Sequence, residues 1–457
     1  MKRRIFMDVE QLRSASVSVI GAARSGVAVG RLLRSQGANV FLSDRDTEAK
    51  LKSHIPYLQE SGIAYELGGH TERVFQCSLM VISPGVPSSA PVVLEAQQRG
   101  IKVVSEVEVA GWLCRASIIA ITGSNGKTTT TTLIGRVLGD AKKKHALAGN
   151  IGTAFSSIVL ELAEGDVAVL EISSFQLDHC ETFRPAISVL LNITQNHMDR
   201  YENSMKRYAA SKARIFMNQT PRDVLIYNAD DLWTSRVIAQ AKCRAIPFSR
   251  EKRLAVGAFI EDEMLVTMLG GKRTAVIPLT EISIKGPHNL YNAMAAALVG
   301  QLMDVGTASI RATLRNFKGV EHRQEFVREV KGVRYYNDSK ATSVEATWYA
   351  LQAFDQPIVL MLGGRDKGND YSRIADLVTK NVRGIVALGE SAEKVEKAFK
   401  TLKPVQRATT MDEAVLFAQQ FAQPGDVVLL SPACASFDWF ENYEQRGLVF
   451  KELVKNL

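Results

Sequence analysis

A chain of 457 residues exceeds what one ordinary core sustains, so two or three domains are expected. With 23% charged and 46% hydrophobic residues, and no apolar run near the ~18 residues that cross a bilayer, the composition is globular and membrane insertion is not expected. The net charge of +8 suits a polyanionic ligand, but it is spread along the chain instead of forming a basic tail, which leaves nucleic acid unsupported as a partner.

Short β-branched runs alternate with helix-length stretches from end to end. Strands are predicted at Val17–Ile20, Val40–Leu42, Leu79–Ile82 and Val103–Val104. A second segment begins near Glu106, with strands at Ile118–Ile121, Val167–Glu171, Ile187–Asn192 and Val224–Asn228. A third begins near Gly319, with strands at Val333–Tyr336, Ile358–Leu362, Ile385–Leu388 and Val427–Leu430. Such alternation predicts an α/β fold of βαβ units with largely parallel sheets. Arg250–Ile284, with Gly270-Gly271 in a hairpin-like context, reads instead as antiparallel. Cys77, Cys114, Cys180, Cys243 and Cys434 show neither CxxC nor zinc spacing and read as reduced thiols. The basic start runs into Asp8 and Glu10 without an apolar core, so no signal peptide is expected and the cytoplasm is the default location.

The first distinctive loop is Val-Ile-Gly-Ala-Ala-Arg-Ser-Gly at 19–26, a strand–turn–helix start. Ala23 occupies the second glycine position of a dinucleotide fingerprint, where a pyrophosphate must approach the backbone, so NAD is disfavoured. Asp44, ending the second strand, can reach a ribose or base. The loop Ser83–Pro87 also follows a strand. These residues by themselves fit either a nucleotide-sized ligand or a structural turn.

Residues 118–130, Ile-Ile-Ala-Ile-Thr-Gly-Ser-Asn-Gly-Lys-Thr-Thr-Thr, are more informative. An apolar strand enters a loop containing Gly123, Asn125 and Gly126, then Lys127, Thr128 and Thr129 open a helix. Glycines let backbone N–H groups turn inward around an anion, and the helix adds its positive end. Lys127 can neutralise β- and γ-phosphate oxygens while Thr128 offers its hydroxyl to magnesium. A Gly-rich turn with a surface lysine is the plainer reading, but the order strand, loop, Gly-Lys-Thr, helix points to a nucleoside triphosphate. Glu171 ends a strand nearby in sequence logic, and a carboxylate with a threonine hydroxyl and phosphate oxygens suits Mg2+. His197 follows another strand, and by itself would be structural. Lys212, in Tyr-Ala-Ala-Ser-Lys-Ala-Arg, reads on composition alone as a solvated helix lysine.

Several blocks in order resemble the Mur ligases, ATP-dependent amino-acid ligases of peptidoglycan synthesis. They are Gly-Ser-Asn-Gly-Lys-Thr, Leu-Glu-Ile-Ser-Ser-Phe-Gln-Leu, Asn-His-Met-Asp-Arg-Tyr, Gly-Pro-His-Asn-Leu-Tyr-Asn at 286–292, Glu-His-Arg at 321–323 and Asn-Asp-Ser-Lys-Ala-Thr at 337–342. The resemblance spans essentially the whole chain and accounts for the shortened phosphate loop. Leu-Gly-Gly-Arg-Asp-Lys-Gly at 362–368, Ser-Pro-Ala-Cys-Ala-Ser-Phe-Asp at 431–438 and the following Asn-Tyr-Glu-Gln-Arg-Gly are similar to the branch that adds D-glutamate.

The resemblance implies three domains: a Rossmann-like UDP-binding domain (1–105), a central P-loop ATPase-like sheet with helices (106–319) and a C-terminal Rossmann-like α/β domain (320–457). It implies UDP-N-acetylmuramoyl-L-alanine, D-glutamate and ATP as substrates, magnesium as the metal, and a monomer. Lys127 and Thr128 would hold phosphates and metal, with Glu171 and His197 completing the metal sites and Lys212 carbamylated into a carboxylate-like ligand. Asn289 and Asn292 would contact the nucleotide, Arg323 and Asp338 its phosphate and ribose, and Lys340 the transferred phosphoryl group. Thr342, Lys367, Ser436 and Tyr443 would position D-glutamate. Ser25, Asp44, Gly85, Asn150 and Ser173 would bind the UDP-sugar. The family often has Thr at the position of Ser25 and Phe at that of Tyr443, while Arg24 is less usual.

The implied reaction activates a carboxylate as an acyl phosphate, which the D-glutamate amine then attacks, with positioning and electrostatics supplying most of the catalysis. The alternatives are a sibling ligase with another amino acid, a folylpolyglutamate synthase-like ligase, a nicotinamide oxidoreductase, or a non-catalytic ATP-binding protein. The Ser431–Gly447 block and the UDP-type first domain argue against folate, and Ala23 argues against nicotinamide. Lys127, Glu171, His197, Lys212 and Lys340 together argue against a mere binding module.

Overall fold

The structure, a computed structural model, describes residues 9–196, 198–366 and 368–457. His197 and Lys367 therefore lie outside the described residues. The chain divides into two compact units, residues 1–280 with 291–313, and residues 281–290 with 314–457.

The first unit carries two sheets. In the N-terminal one, β1 (Ser16–Ile20), β2 (Asn39–Asp44), β3 (Ala64–Leu67), β4 (Leu79–Ile82) and β5 (Lys102–Ser105) are all parallel in the order β3-β2-β1-β4-β5. Every residue of β4 is buried, as expected of a parallel strand covered on both faces. The helix Arg24–Ser35 lays Val27, Val29 and Leu33 on this core, while Leu32 packs into the core of the second sheet. Strand order reverses at β1, which opens a crevice at the carboxyl ends of β1 and β4.

The second sheet comprises β6 (Ser117–Thr122), β7 (His145–Gly149), β8 (Val167–Glu171), β9 (Ile187–Leu190), β10 (Val224–Asn228), β11 (Arg244–Ser249), β12 (Gly257–Glu261), β13 (Met264–Leu269) and β14 (Lys272–Pro278). Its order is β14-β13-β12-β11-β10-β9-β6-β8-β7, parallel from β7 to β12. The last three strands form the antiparallel meander expected of Arg250–Ile284, and β13 turns into β14 through Gly270 (φ 56°) and Gly271 (φ 75°). β6 lies between β8 and β9, so the loop after it emerges among three strand ends.

The second unit holds β15 (Glu325–Val330), β16 (Val333–Asn337), β17 (Ile358–Gly363), β18 (Val382–Leu388), β19 (Val405–Arg407) and β20 (Val427–Leu430), ordered β15-β16-β20-β17-β18-β19. All pair in parallel except β15 with β16.

Each strand predicted from β-branched runs is present. The one expected to reach Asn192 stops at Leu190, because Asn192 turns to bind the glycine loop. β3, β7, β11, β15 and β19 were not legible. His145–Gly149 lacks β-branched residues and Arg244–Ser249 contains Pro247, so a neighbour's ladder, and not local propensity, makes them strands.

Candidate active site

The loop after β6 is fixed by its flanking strands. Ile121 pairs with Glu171 of β8 and with Val189 of β9. The Ser124 N–H donates to the Asn192 carbonyl (3.0 Å) and the Asn125 N–H to Asn192 Oδ1 (2.9 Å). Gly126 adopts φ +82°, and a Cβ there would lie 2.5 Å from Asn292 Oδ1, which itself accepts from Thr130 Oγ1 at 3.0 Å. Glycine is thus required twice over, by backbone conformation and by close approach. Thr128 and Thr129 are buried in the first turn of the helix Lys127–Asp140.

Two lysines converge on this loop. Lys127 Nζ donates to the carbonyls of Gly123 (2.9 Å) and Ser124 (2.8 Å). Lys212, on the helix Met205–Ala213, also donates to the Gly123 carbonyl at 2.9 Å and is only 1% exposed. Its ammonium lies 4.7 Å from the centroid of Tyr208, whose hydroxyl is 3.1 Å from Ser124 Oγ. The solvated lysine suggested by composition is therefore a buried side chain beneath the phosphate loop.

Glu171, 2% exposed, accepts from Asn150 Nδ2 through Oε1 at 2.9 Å. Its Oε2 is buried without a hydrogen-bond partner among the described residues. An orphaned carboxylate oxygen next to a threonine-rich helix start fits a hard divalent cation. No group of three His, Cys, Asp or Glu side chains gathers there among the described residues, so phosphate oxygens and water would supply further ligands.

A cavity of about 420 Å³ opens at the ends of β1, β2 and β4, lined among others by Ser25, Asp44, His70, Gly85, Asn150 and Gln176. Four of the five residues expected to bind the UDP-sugar thus meet in one cavity. The fifth, Ser173, does not line it. Instead Ser173 and Gln176 form a capping box at the helix Ser174–Leu177. Asp44 accepts from the N–H groups of Ala22 (2.6 Å) and Asp46 (2.8 Å), tying the first glycine turn to its own loop. Arg200, unassigned from sequence, donates to the carbonyls of Pro84 (3.2 Å) and Gly85 (3.0 Å) and stacks 4.1 Å from the Phe175 ring centroid. Its place in Asn-His-Met-Asp-Arg-Tyr was the available signal.

In the second unit Asp338 follows β16 and is fully buried. Ser431 Oγ donates to its Oδ2 (2.9 Å), the Gln324 N–H to its Oδ1 (3.3 Å), and Arg323 stands 3.8 Å away. Burial outweighs these partners and pushes the Asp338 carboxyl up to about 6. A carboxyl raised in the fold binds more protons folded than unfolded, so it weakens stability as pH rises through the window from 3.8 to about 6. Asp338→Asn should therefore raise the unfolding free energy at pH 7.5 by on the order of 2 kcal/mol while lowering activity. Denaturant titrations at pH 4 and 7.5 check this, and a variant less stable than wild type at pH 7.5 would contradict it.

Tyr443 opens the final helix, Tyr443–Lys455. The Lys340 ammonium lies 5.4 Å from the Tyr443 ring centroid, and the Thr342 N–H donates to the Lys340 carbonyl at 3.0 Å. Ser436 is buried, its carbonyl accepting from the Phe440 N–H at 2.9 Å. Asn289 Nδ2 donates to the Lys285 carbonyl (2.7 Å) at the start of the helix Pro287–Leu302 that also carries Asn292. Arg446 was missed by sequence reasoning. It is 2% exposed and donates from Nε to Ser339 Oγ (2.9 Å) and from Nη2 to the carbonyls of Ser339 (2.8 Å) and Cys434 (3.1 Å). Ser339 Oγ donates in turn to the Tyr443 carbonyl at 2.8 Å. One guanidinium thus joins the segments bearing Lys340, Ser436 and Tyr443.

Three family models match in chain order: the Mur ligase MurD-like N-terminal domain at 15–105, the Mur ligase middle domain at 121–300 and the Mur ligase glutamate ligase domain at 322–434. The UDP-N-acetylmuramoylalanine--D-glutamate ligase of Salinibacter ruber is 48% identical, with 99% of this chain and 100% of the relative covered. The protein of the same name from Chloroherpeton thalassium is 47% identical over 99% and 100% of the two chains. Among solved structures, the UDP-N-acetylmuramate-alanine ligase MurC of Thermotoga maritima superposes with a TM-score of 0.61 at 18% identity, covering 97% of this chain and 100% of that one, a likeness of fold. On the phosphate loop, the two further sheets and these matches from end to end, the chain belongs to the Mur ligase family.

Proposed function

We propose that this Mur ligase joins D-glutamate to UDP-N-acetylmuramoyl-L-alanine at the expense of ATP, releasing ADP and phosphate in peptidoglycan precursor synthesis. The observation that carries the reading is the end-to-end match, at 48% identity, to a curated D-glutamate ligase. The geometry is compatible with it, since Asn150 lines the nucleotide-sized cavity and donates to Glu171, which pairs in the sheet with Ile121 just before the phosphate loop.

In this reading the carboxylate of the alanyl group attacks the γ-phosphorus, the acyl phosphate forms, and the amine of D-glutamate displaces phosphate. Lys127 and Lys340 hold the charge of the transferring group, and Asn289, Asn292, Arg323 and Asp338 hold the rest of the nucleotide. Thr128 and Glu171, with His197 and a carbamylated Lys212, would hold magnesium, which supplies charge neutralisation at the phosphoryl oxygens. Ser25, Asp44, Gly85, Asn150 and Ser173 bind the UDP-sugar. Thr342, Lys367, Ser436 and Tyr443 receive D-glutamate. Residues 1–105, 106–319 and 320–457 serve as the working domains, a division that the three sheets support. The enzyme acts as a monomer in the cytoplasm, and the five free cysteines are in keeping with a reducing compartment.

Phosphate release with UDP-N-acetylmuramoyl-L-alanine and ATP should require D-glutamate, with L-glutamate, L-lysine and meso-diaminopimelate giving background rates. A cation facing an acidic acceptor also predicts that Lys367→Ala raises the KM for D-glutamate about tenfold or more. Equal turnover with L-lysine would overturn the assignment.

A further inference from the structure

His70 lines the 420 Å³ cavity and has no role in the reading above. It follows β3 in a loop whose hydrogen bonds determine which ring nitrogen carries the proton. Thr71 donates to Glu66 through its N–H (3.0 Å) and its hydroxyl (2.6 Å), and Ser43 Oγ lies 2.8 Å from Glu66 Oε1. Burial opposes ionisation of Glu66, but the bonds from Thr71 and Ser43 outweigh it and hold the carboxyl below its usual range. Ser43 has one hydroxyl proton, and its other neighbour besides the imidazole, the Gly69 carbonyl at 3.3 Å, is also an acceptor only. Ser43 Oγ therefore meets His70 Nδ1, 2.7 Å away, as acceptor, and Nδ1 carries the hydrogen. In a neutral ring with Nδ1 protonated, Nε2 is a lone-pair acceptor.

We propose that His70 is a substrate-contacting residue of this cavity, accepting at Nε2 a hydrogen bond from the uracil N–H or a ribose hydroxyl of the UDP-sugar. The inference rests on reading the cavity as the UDP-sugar site. Burial and the neighbouring Arg45 disfavour a charge on the ring, Asp44 and Glu66 favour it, and burial prevails, holding His70 below the ordinary histidine range. Protonation converts Nε2 from acceptor to donor, so affinity for the uridine should fall as pH drops through that lowered range.

The test is steady-state kinetics of the full chain, wild type against His70→Ala and His70→Gln, from pH 5.5 to 8. His70→Ala should raise the KM for UDP-N-acetylmuramoyl-L-alanine about tenfold at pH 8, leaving kcat and the KM values for ATP and D-glutamate within about twofold. His70→Gln, which keeps an acceptor, should recover most of the loss. The wild-type KM for the UDP-sugar should climb at acidic pH, with that climb absent in His70→Ala. Titration of the full chain with UMP, 3-methyl-UMP and 2′-deoxy-UMP identifies the donor, since the analogue lacking it should bind wild type more weakly but His70→Ala equally. An unchanged KM in His70→Ala, or the same acid-side climb in both proteins, would overturn the proposal. Absence of any turnover would overturn the functional reading instead. The nucleotide titrations would then decide on His70, and equal binding of all three to both proteins would count against it.

Discussion

Lys212→Ala should lower kcat by about 10²–10³ or more, and millimolar acetate or propionate should restore part of the activity. The side chain is 1% exposed, and its Nζ sits 2.9 Å from the Gly123 carbonyl, at the base of the phosphate loop. An ammonium in that place adds positive charge to a site already served by Lys127, whereas the proposed carbamate would add a carboxylate-like ligand for the proposed magnesium. Truncation to alanine leaves room beneath the loop for a small carboxylic acid to stand in for the lost group. Lys127→Ala should be comparably inactive, but no carboxylate should rescue it, because there the missing charge is positive. Phosphate release with and without added acids distinguishes the two variants. Near-normal turnover in Lys212→Ala, or equal rescue of both, would remove Lys212 from the proposed metal site.

Arg446→Met should destabilise the C-terminal unit by about 3 kcal/mol and raise the KM for D-glutamate well above those for ATP and the UDP-sugar. The guanidinium is buried, and burial lowers its pKa to about 10, with Asp438, Cys434 and Asp338 opposing the shift. Its Nη1 has no hydrogen-bond partner among the described residues, while Nε and Nη2 satisfy Ser339 and the Cys434 carbonyl. Methionine fills similar volume but leaves those oxygens without a donor, and unsatisfied buried carbonyls are expensive. The loops carrying Lys340 and Ser436 then lose their common tie. Arg446→Lys, with a single donor head, should fall between the two. Denaturant unfolding and substrate-resolved kinetics check the pair of effects, and a stable variant with an unaltered D-glutamate KM would show that the three segments hold their spacing without it.

Local sequence was sufficient where one short stretch carries both the element and its chemistry. An apolar run followed by Gly-Ser-Asn-Gly-Lys-Thr reads as a strand, a tight glycine turn and a helix start, and the structure has all three, the strand one residue longer at each end than expected. Buried parallel strands such as Leu79–Ile82 and Val427–Leu430 were equally plain, because strands covered on both faces are continuous apolar runs. Ordered blocks of residues also marked the family. Tertiary structure decided what depends on partners distant in sequence. Strands like His145–Gly149 exist because Val167–Glu171 offers a ladder, and Asn292 limits Gly126 across 166 positions of chain. Burial of Lys212 and Arg446, the orphaned oxygen of Glu171 and the proton position on His70 were all invisible in composition. Each is set by which acceptors the fold places around the group, and a side chain's protonation and solvation follow from those neighbours and not from its own identity.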